Sequence, residues 1–301
     1  MDARNPVNAI MPPAALFGLE QRLLARWRRR PSLPSERLIV GFSGGTDSLA
    51  LATALGRIAE RAELRAILAH IDHRQRASSG GEAAHAAALA ARLGLPFSMR
   101  HIPDDCLERH RGLGVEEALR RERYRALAAI AREHDAAALV VAHQADDQAE
   151  SVLLHLLRGA GLRGAAAMAE WSERTMPWWP EANEPAAPLV IWRPFLTEPR
   201  ATLRDYLTRA DLRPIDDPSN DDPRFRRNAI RRDLLPLLER IAPGAALALA
   251  RHAALAADED AMLDDFAACA LEQARRPDGA VRVAPLLGAP APLRRRALRA
   301  W

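Results

Sequence analysis

The chain contains no lysine, because all 43 residues counted as lysine or arginine are arginine. This absence excludes a Walker A phosphate loop, which needs a Gly-Lys-Ser/Thr sequence. Only two cysteines are present, Cys106 and Cys269, and their distant positions indicate neither a disulfide framework nor a zinc or iron–sulfur site. No apolar run reaches about 18 residues, and Met1–Ala14 lacks the apolar core of a signal peptide. We therefore expect a cytoplasmic protein.

Aromatic residues are also scarce, at 5% of the 301 residues, whereas alanine, leucine and arginine dominate. A chain of this length buries a sizeable core and is typical of two domains. The net charge is +4, and the basic residues cluster at Arg26–Arg30, Arg224–Arg232 and Arg294–Arg299. Arginine binds phosphate groups bidentately, so this composition permits a nucleic-acid partner.

The segment Leu38–Ser48 is the most informative part of the chain. An apolar run, Leu38–Phe42, leads into two glycines flanked by hydroxyl residues, and an Ala/Leu-rich helix candidate follows. A strand, a tight glycine loop and a helix N-terminus together direct backbone N–H groups at an anion such as pyrophosphate. The segment does not fit the Gly-x-Gly-x-x-Gly dinucleotide fingerprint. The alternative is a glycine-rich turn that binds no ligand. The predicted nucleotide-binding residues are Ser43, Gly44, Gly45, Thr46, Asp47 and Ser48.

Strand and helix candidates alternate from residue 38 onward, which predicts an α/β fold with a doubly wound, mostly parallel sheet followed by a smaller all-α domain. The strand candidates are Leu38–Phe42, Leu64–Ile71, Phe97–Ile102 and Ala138–Ala142. The helix candidates are residues 15–29, Ser48–Arg61, Gly81–Leu93, Val115–His134, Asp146–Leu157 and Glu198–Ala210. In such folds ligands bind beyond the carboxyl ends of the strands.

The predicted organisation has three parts: an N-terminal extension with one helix over residues 1–36, an ATP-binding catalytic domain over 37–215 and a helical domain over 216–301. Trp171–Pro188 is rich in Trp, Pro and Glu and predicts an irregular surface excursion. Asp216–Pro223 has turn chemistry and predicts a linker. The chain stops within what reads as a helix, which predicts a C-terminal truncation.

Three further motifs carry polar chemistry. His143–Ser151 places Asp146, Asp147 and Glu150 on one helix face. These acids are either solvated residues that stabilise the start of the helix or Mg²⁺ ligands beside a pyrophosphate loop. His70–Arg76 is a polar loop or a part of the site, and its candidates are His70, Asp72 and Arg76. The charged residues of Glu116–Tyr124, including Arg123, are typical of a solvated helix face.

A basic patch ends the turn-rich stretch Asp216–Arg232. Its arginines are interleaved with Phe225 and Asn228, a pattern that suits phosphate binding and base stacking, although a basic surface helix has the same composition. Its position directly after the predicted linker favours RNA. The predicted RNA-binding residues are Arg224, Arg226, Arg227, Asn228 and Arg231.

From about Arg37 to Ala242 the chain resembles the tRNA(Ile)-lysidine synthetases of the PP-loop ATP pyrophosphatase superfamily. Ser43–Ser48 is similar to the family's Ser-Gly-Gly-x-Asp-Ser loop. His70–Arg76 and His143–Ser151 are similar to its His-x-Asp-His-Gly-Leu-Arg and His-His-x-Asp-Asp-Gln-x-Glu-Thr motifs, with Arg74, Gln75, Gln144 and Ser151 replacing family residues. Glu117–Tyr124 is a looser match, and Arg158–Gly161, Arg193–Leu196, Asp217–Asn220 and Arg227–Arg231 follow in family order.

The resemblance implies a fold of the adenine-nucleotide α-hydrolase type and ligation of free L-lysine to C2 of the wobble cytidine in the CAU anticodon of tRNA(Ile). ATP adenylates the C2 oxygen, pyrophosphate leaves, and the lysine ε-amine attacks. It implies ATP and Mg²⁺ as cofactors, with the metal on Asp47, Asp146 and Asp147, and it allows a homodimer. Arg74 or Arg76 with Arg123 would stabilise the adenylyl group. Glu150, Asp147 and His143 are the candidates for handling the lysine proton.

Other functions stay open at this point. A tRNA 2-thiolation enzyme would use the same ATP loop, but those relatives usually need paired cysteines. An amidotransferase of the GMP-synthetase type would need a glutaminase half that the chain lacks. A non-catalytic tRNA- or nucleotide-binding protein would release no pyrophosphate.

Overall fold

The computed structural model describes residues 16–72, 79–175, 188–215 and 226–301. The described residues divide into two compact units. The first lies within Met1–Asp147 and Glu170–Asp222, and the second within Gln148–Ala169 and Pro223–Trp301. The second unit is thus made of two separate stretches of chain. The continuous domain boundaries inferred from the sequence do not include this division and stay a prediction.

A six-stranded sheet, in the order β3-β2-β1-β4-β6-β5, is the centre of the first unit. All neighbouring strands are parallel except β5 and β6, which are antiparallel. The strands are β1 (Arg37–Gly41), β2 (Arg65–Asp72), β3 (Phe97–His101), β4 (Ala138–Val140), β5 (Trp171–Arg174) and β6 (Leu189–Trp192). The prediction of a doubly wound, mostly parallel sheet followed by an all-α region is confirmed.

Helices cover both faces of this sheet. They are α1 (Gly18–Arg28), α2 (Thr46–Ala62), α3 (Ser79–Leu93), α4 (Cys106–Arg109), α5 (Val115–Glu133), the start of α6 (Ala145–Leu156) and α8 (Arg200–Arg209). Alternate strand residues face opposite ways. Leu38 and Val40 therefore pack in one core with α1, α2, α3 and α8, while Ile39 packs in another with α5. The bounds of each predicted strand and helix in this part lie within three residues of those of an observed element.

Strand β5 corrects one expectation. The irregular excursion predicted for Trp171–Pro188 is wrong for Trp171–Arg174, which pair with β6. The indole of Trp171 stacks on Trp192 with ring centroids 4.9 Å apart, so an aromatic cross-strand contact stabilises the pair. Two strands of four residues are too short for their periodicity to be recognised. Residues 176–187 lie outside the described residues.

Helix α1 is joined to the sheet unit by a buried carboxylate. Glu20 has no exposed surface. Its Oε1 accepts hydrogen bonds from Arg57 Nε (2.6 Å) and the Tyr206 hydroxyl (2.7 Å), and Oε2 accepts one from the Phe17 backbone N–H (2.9 Å). Burial and the neighbouring Glu20 carboxylate both raise the pKa of Tyr206, so this hydroxyl remains a donor. Glu20 of α1 thus links this helix to α2 through Arg57 and to α8 through Tyr206.

The described part of the second unit is built of helices, with one β-bridge between Arg275 and Val281. It contains the remainder of α6, α7 (Leu162–Ala165), α9 (Arg226–Ala229), a π-helical turn (Ile230–Leu234), α10 (Leu235–Ile241), α11 (Ala245–Ala274), α12 (Val283–Gly288) and α13 (Ala291–Ala300). One small core forms around Ala149, Ile230, Leu235 and Ala246, and another around Leu271 and Leu286. Among the described residues, no helix is long and apolar enough to cross a membrane.

Candidate active site

The glycine loop follows β1 directly and has a conformation that requires glycine. After Gly41, the Phe42 N–H donates to the Ala69 carbonyl (2.8 Å), and α2 begins at Thr46. Gly44 has φ +80°, and its carbonyl accepts a hydrogen bond from the Ile215 N–H (2.9 Å). A Cβ added at Gly44 would lie 2.4 Å from Ile215 Cδ1. The positive φ strains any residue with a side chain at Gly44, and a Cβ there would also force the Ile215 side chain to shift.

Two serine hydroxyls hold this loop in shape. Ser48 Oγ donates to the Gly45 carbonyl (3.1 Å), accepts from the Ser43 N–H (3.2 Å) and lies 3.1 Å from Ser43 Oγ. The Gly45 N–H in turn reaches Ser43 Oγ at 3.4 Å. Gly45 is the N-cap of α2 and makes no side-chain cap, so the N–H groups of the first turn of this 17-residue helix are directed at the loop without a capping side chain. Such an N-terminus binds anions.

His70 and Asp72 lie on β2, next to the loop in the sheet. The buried His70 Nδ1 lies 2.9 Å from the Phe42 carbonyl oxygen, and its ring stacks on Phe97. Because a carbonyl oxygen only accepts, Nδ1 is the donor of this hydrogen bond. Asp72 Oδ2 lies 3.1 Å from Nδ1 of His101, its register partner on β3. His70 thus contacts the residue that leads into the loop, whereas Asp72 contacts β3. Arg74 and Arg76 lie outside the described residues.

The acidic motif begins helix α6, directly after β4. Gln144 is the residue before the helix, and its Oε1 accepts from the Asp146 N–H (2.8 Å), while Asp147 Oδ2 accepts from the Gln144 N–H (3.0 Å). This reciprocal arrangement follows the logic of a capping box. It was not anticipated from the sequence, although Gln144 and Asp147 have the three-residue spacing that a capping box requires. Asp147 thus stabilises the helix start with at least one oxygen.

The strand register brings the two helix starts to the same edge of the sheet. Val40 of β1 pairs with Val140 of β4, and both strands are parallel, so the loops that follow them are neighbours. Asp47 is in the first turn of α2, and Asp146 and Asp147 are in the first turn of α6. All three side chains are partly exposed. Their placement fits a cation held together with a triphosphate.

The described residues include no cluster of three His, Cys, Asp or Glu side chains close enough to form a metal cage. Mg²⁺ is usually bound by one or two protein carboxylates together with substrate phosphates rather than by a protein cage. The carboxylates at the starts of α2 and α6 therefore fit a metal that arrives with a nucleotide. Asp47, Asp146 and Asp147 as metal ligands stay a prediction.

Arginines surround Tyr124 near the same edge. The guanidinium groups of Arg120 and Arg123 lie 5.4 and 5.9 Å from the Tyr124 ring centroid. Arg193, the first residue after β6, is buried and donates from Nη1 to Ser172 Oγ (2.9 Å). Burial lowers the pKa of Arg193, and its contact with Tyr124 opposes this shift. Arg193 was not among the predicted site residues, although an arginine directly after a buried strand at this edge is the signal that would have found it.

The second unit contains Glu150 and the described candidates for RNA binding. Glu150 has no exposed surface, and its carboxylate lies between two arginines. Arg227 Nε donates to Oε2 (2.7 Å), while Arg231 donates from Nε to Oε1 (2.5 Å) and from Nη2 to Oε2 (3.2 Å). The sequence predicted a proton acceptor at Glu150 and RNA contacts at both arginines but not that they pair. Asn228 lies between the arginines in α9, Arg224 lies outside the described residues, and nothing is described of the Arg226 side chain.

Comparisons with known proteins agree with this geometry. The sequence profile of the PP-loop domain matches residues 19–238. A tRNA(Ile)-lysidine synthase from Burkholderia mallei is 41% identical over 248 residues, covering 82% of this chain and 48% of the relative. One from Thermobifida fusca is 38% identical over 291 residues, covering 96% of this chain and 82% of the relative. The chain spans about half the length of several of these relatives.

Among solved structures, the U34-tRNA thiolase NcsA from Methanococcus maripaludis has a similar fold, with a TM-score of 0.61. Its sequence is 16% identical, and the match covers 79% of this chain and 80% of that protein. At this identity the likeness concerns the fold alone. The loop, the profile and the sequence relatives together establish the affiliation: the chain belongs to the tRNA(Ile)-lysidine synthase family of PP-loop proteins.

Proposed function

We propose that this protein ligates free L-lysine to C2 of the wobble cytidine in the CAU anticodon of tRNA(Ile), with consumption of ATP and release of pyrophosphate and AMP. One observation carries the proposal: Gly44 has φ +80° and a Cβ there would lie 2.4 Å from Ile215 Cδ1, in a loop that opens onto the N-terminus of α2. Such a loop suits the pyrophosphate part of ATP. The family to which the chain belongs supplies the proposed substrates.

The first step would be adenylation of the cytidine C2 oxygen. The backbone N–H groups of Gly45–Ser48 bind the departing pyrophosphate, where negative charge develops, and the dipole of α2 favours that charge. Asp47, Asp146 and Asp147 would hold Mg²⁺, which supplies charge neutralisation on the phosphates. Arg123 of α5 would stabilise the transferring adenylyl group.

The second step would be attack of the lysine ε-amine on C2 with loss of AMP. Lysine is protonated at neutral pH, so a group of the enzyme must accept its proton. Of the three candidates, His143 and Asp147 are partly exposed, whereas Glu150 is buried and both of its oxygens accept arginine donors. The geometry therefore favours His143 or Asp147.

A sulfur-transfer reaction has no support in the described site. The only two cysteines of the chain are Cys106, which is buried, and Cys269, which is exposed, and both are free. They form no Cys-x-x-Cys pair of the kind that holds sulfur or a cluster. Burial raises the pKa of the Cys106 thiol, which makes it a weaker nucleophile at neutral pH.

The test is incorporation of radiolabelled lysine into a tRNA(Ile) transcript with a CAU anticodon, with and without ATP. We expect labelling that requires ATP and disappears when the wobble cytidine is replaced by uridine. Pyrophosphate release without labelling would contradict the proposed acceptor. The absence of both would contradict the ligase assignment and favour a binding protein.

A further inference from the structure

The third arginine cluster of the sequence, Arg294–Arg299, lies on α13, and the proposed reaction does not use it. We infer that the outward face of α13, formed by Arg294, Arg295 and Arg299, binds phosphate groups of the tRNA backbone. This inference rests on the proposed function, because that function makes tRNA a substrate of the protein.

The charge of this end of the chain is of one sign. Residues 279–301 contain five arginines and no aspartate or glutamate. Among the described residues, Arg296 is the one of these five that pairs with carboxylates, since its guanidinium lies 2.5 Å from Asp260 and 2.6 Å from Asp264 of α11. Arg163 binds the same two acids from α7. The charges of the other four arginines are therefore not neutralised by this acidic pair.

Packing determines which side of α13 faces the solvent. Ala297 is buried in the small core around Leu271 and Leu286, and Leu293 packs against the same core. Arg296 lies on this side of the helix too, because it follows Leu293 by three residues. Its side chain is only 14% exposed. One arginine of α13 thus attaches the helix to α11, and the others lie outside the buried side.

The three outward arginines pair with no carboxylate in the described part of the chain. Arg294 is partly exposed and donates from Nη1 to the Leu287 carbonyl of α12 (3.0 Å). Arg295 is exposed, and its Nε lies 3.4 Å from the Ala291 carbonyl of its own helix. Arg299 is exposed and follows Arg295 by one helical turn. Their guanidinium groups can therefore contact neighbouring phosphates of one RNA strand.

An anionic lipid surface would also attract exposed arginines. A helix that lies on a membrane needs an apolar face that inserts among the lipids. The apolar side of α13 is not available for this role, because Leu293 and Ala297 are packed within the protein, and Leu298 is the one exposed leucine of this helix. Arginine binds phosphate bidentately and needs no apolar face to do so. These observations favour RNA.

The test compares tRNA binding by Arg295→Gln/Arg299→Gln and by the matched control Arg61→Gln/Arg65→Gln. Arg61 and Arg65 are also exposed and four residues apart, so the control removes the same charge. They lie at the end of α2 and the start of β2, at the sheet edge opposite the glycine loop. Filter binding of a tRNA(Ile) transcript at several salt concentrations gives the dissociation constant and its salt dependence. Circular dichroism checks the helical content of each variant.

We expect Arg295→Gln/Arg299→Gln to weaken tRNA binding by about tenfold and to reduce the slope of log K against log salt by about 1–2, because two phosphate contacts are lost. A transcript with uridine at the wobble position should show the same loss, since backbone contacts carry no sequence information. Arg295→Lys/Arg299→Lys should retain most of the affinity, because it keeps the charge. The control variant should bind as the wild type does.

Three results would overturn the inference. One is wild-type affinity and salt slope in Arg295→Gln/Arg299→Gln. Another is an equal loss in the control, which would make the loss an effect of net charge alone. The third is sedimentation of the wild type, but not of Arg295→Gln/Arg299→Gln, with vesicles of equal parts phosphatidylserine and phosphatidylcholine, which would assign the face to lipid. If the wild type binds tRNA through this face but incorporates no lysine, the proposed function fails and the inference stands, so the two failures are distinguishable.

Discussion

Gly44 combines a positive φ with the close approach of a neighbouring side chain. Gly44→Ala should lower the free energy of unfolding by about 2–4 kcal/mol, because a positive φ strains alanine and its Cβ meets Ile215 at 2.4 Å. Denaturation in urea measures this change. Gly112→Ala is the matched control, since Gly112 has φ +89° in the same unit but nothing within 4 Å of its Cβ. An equal decrease in the free energy of unfolding in the two variants would show that the close approach to Ile215 does not destabilise Gly44→Ala.

Asp47 is predicted to act on the nucleotide and not on the fold. Asp47→Ala should lower ATP–pyrophosphate exchange at least about 100-fold, because it removes a charged group that is expected to hold the metal at the leaving pyrophosphate. Its circular dichroism spectrum and melting temperature should match the wild type within error. Asp205→Ala, at an exposed acid of α8, should leave exchange unchanged. Retained exchange in the Asp47 variant would remove this role.

At the residue scale, the sequence predicts those parts of the site that are encoded by a motif of a few consecutive residues. The glycine loop and the acids at the start of α6 are recognisable because each motif lies within a few consecutive residues. The pairing of Glu150 with Arg227 is not recognisable, because 77 residues separate them and nothing in either segment specifies the other. The capping role of Asp147 is intermediate between these cases. Its three-residue spacing from Gln144 is visible in the sequence, but the hydrogen bond that it accepts from the Gln144 N–H is not.

At the scale of elements, the attachment of α1 depends on one carboxylate. Glu20→Ala should lower the free energy of unfolding by about 3–5 kcal/mol, because Arg57 loses its charged partner in a buried site. Urea denaturation followed by tryptophan fluorescence suits this measurement, since Trp27 of α1 is buried. The exposed Glu60 of α2 provides the comparison, and Glu60→Ala should change the stability by no more than about 0.5 kcal/mol. A similar decrease in the free energy of unfolding for both variants would contradict the conclusion that Glu20 attaches α1 to the sheet.

The elements themselves were largely predictable. Long helices and parallel strands have strong periodicity or continuous apolar runs, and where bounds were predicted they agree with the observed ones to within three residues. Strands β5 and β6 were missed because four residues give too little periodicity and because their pairing is non-local. The π-helical turn was also unpredictable, since Pro236 signals an interruption without specifying its geometry.

For the molecule as a whole, the loss of stability of the second unit at low pH should depend on a network of four charged residues. Asp264 accepts from Arg296 (2.6 Å) and Arg163 (2.6 Å), and Asp260 pairs with the same arginines. The hydrogen bond from Arg296, followed by that from Arg163, lowers the pKa of Asp264. A carboxyl whose pKa is lower in the folded state stabilises the fold above its unfolded pKa and loses this effect as the pH falls.

Asp264→Asn should therefore reduce stability at pH 7 and flatten the fall in melting temperature as the pH drops through about 4. The measurement is a series of thermal melts between neutral and acidic pH. The adjacent and exposed Asp265 is the control, and Asp265→Asn should preserve the shape of the wild-type profile. An Asp264 variant with the full acid dependence of the wild type would show that the network does not contribute.

The organisation of the whole chain was predicted only in outline. A sheet-containing part followed by helices was expected and is observed. The grouping of residues 148–169 with 223–301 was not expected, because the apolar periodicity along α6 does not show which core the second half of this helix joins. Gln148 illustrates this, since its side chain is bonded to both the N–H and the carbonyl of Met168.

The discontinuous second unit has a consequence for biosynthesis. Glu150 precedes Arg227 by 77 residues and Arg231 by 81 in the order of translation. At about 5–20 residues per second, the ribosome needs roughly 4–16 s to make the partners after the carboxylate has been incorporated. During that interval Glu150 has neither of these arginine partners, and the second half of α6 lacks the residues Ile230, Leu235 and Ala246 of the core that it joins. The nascent chain therefore completes this unit last, however early its first helix is made.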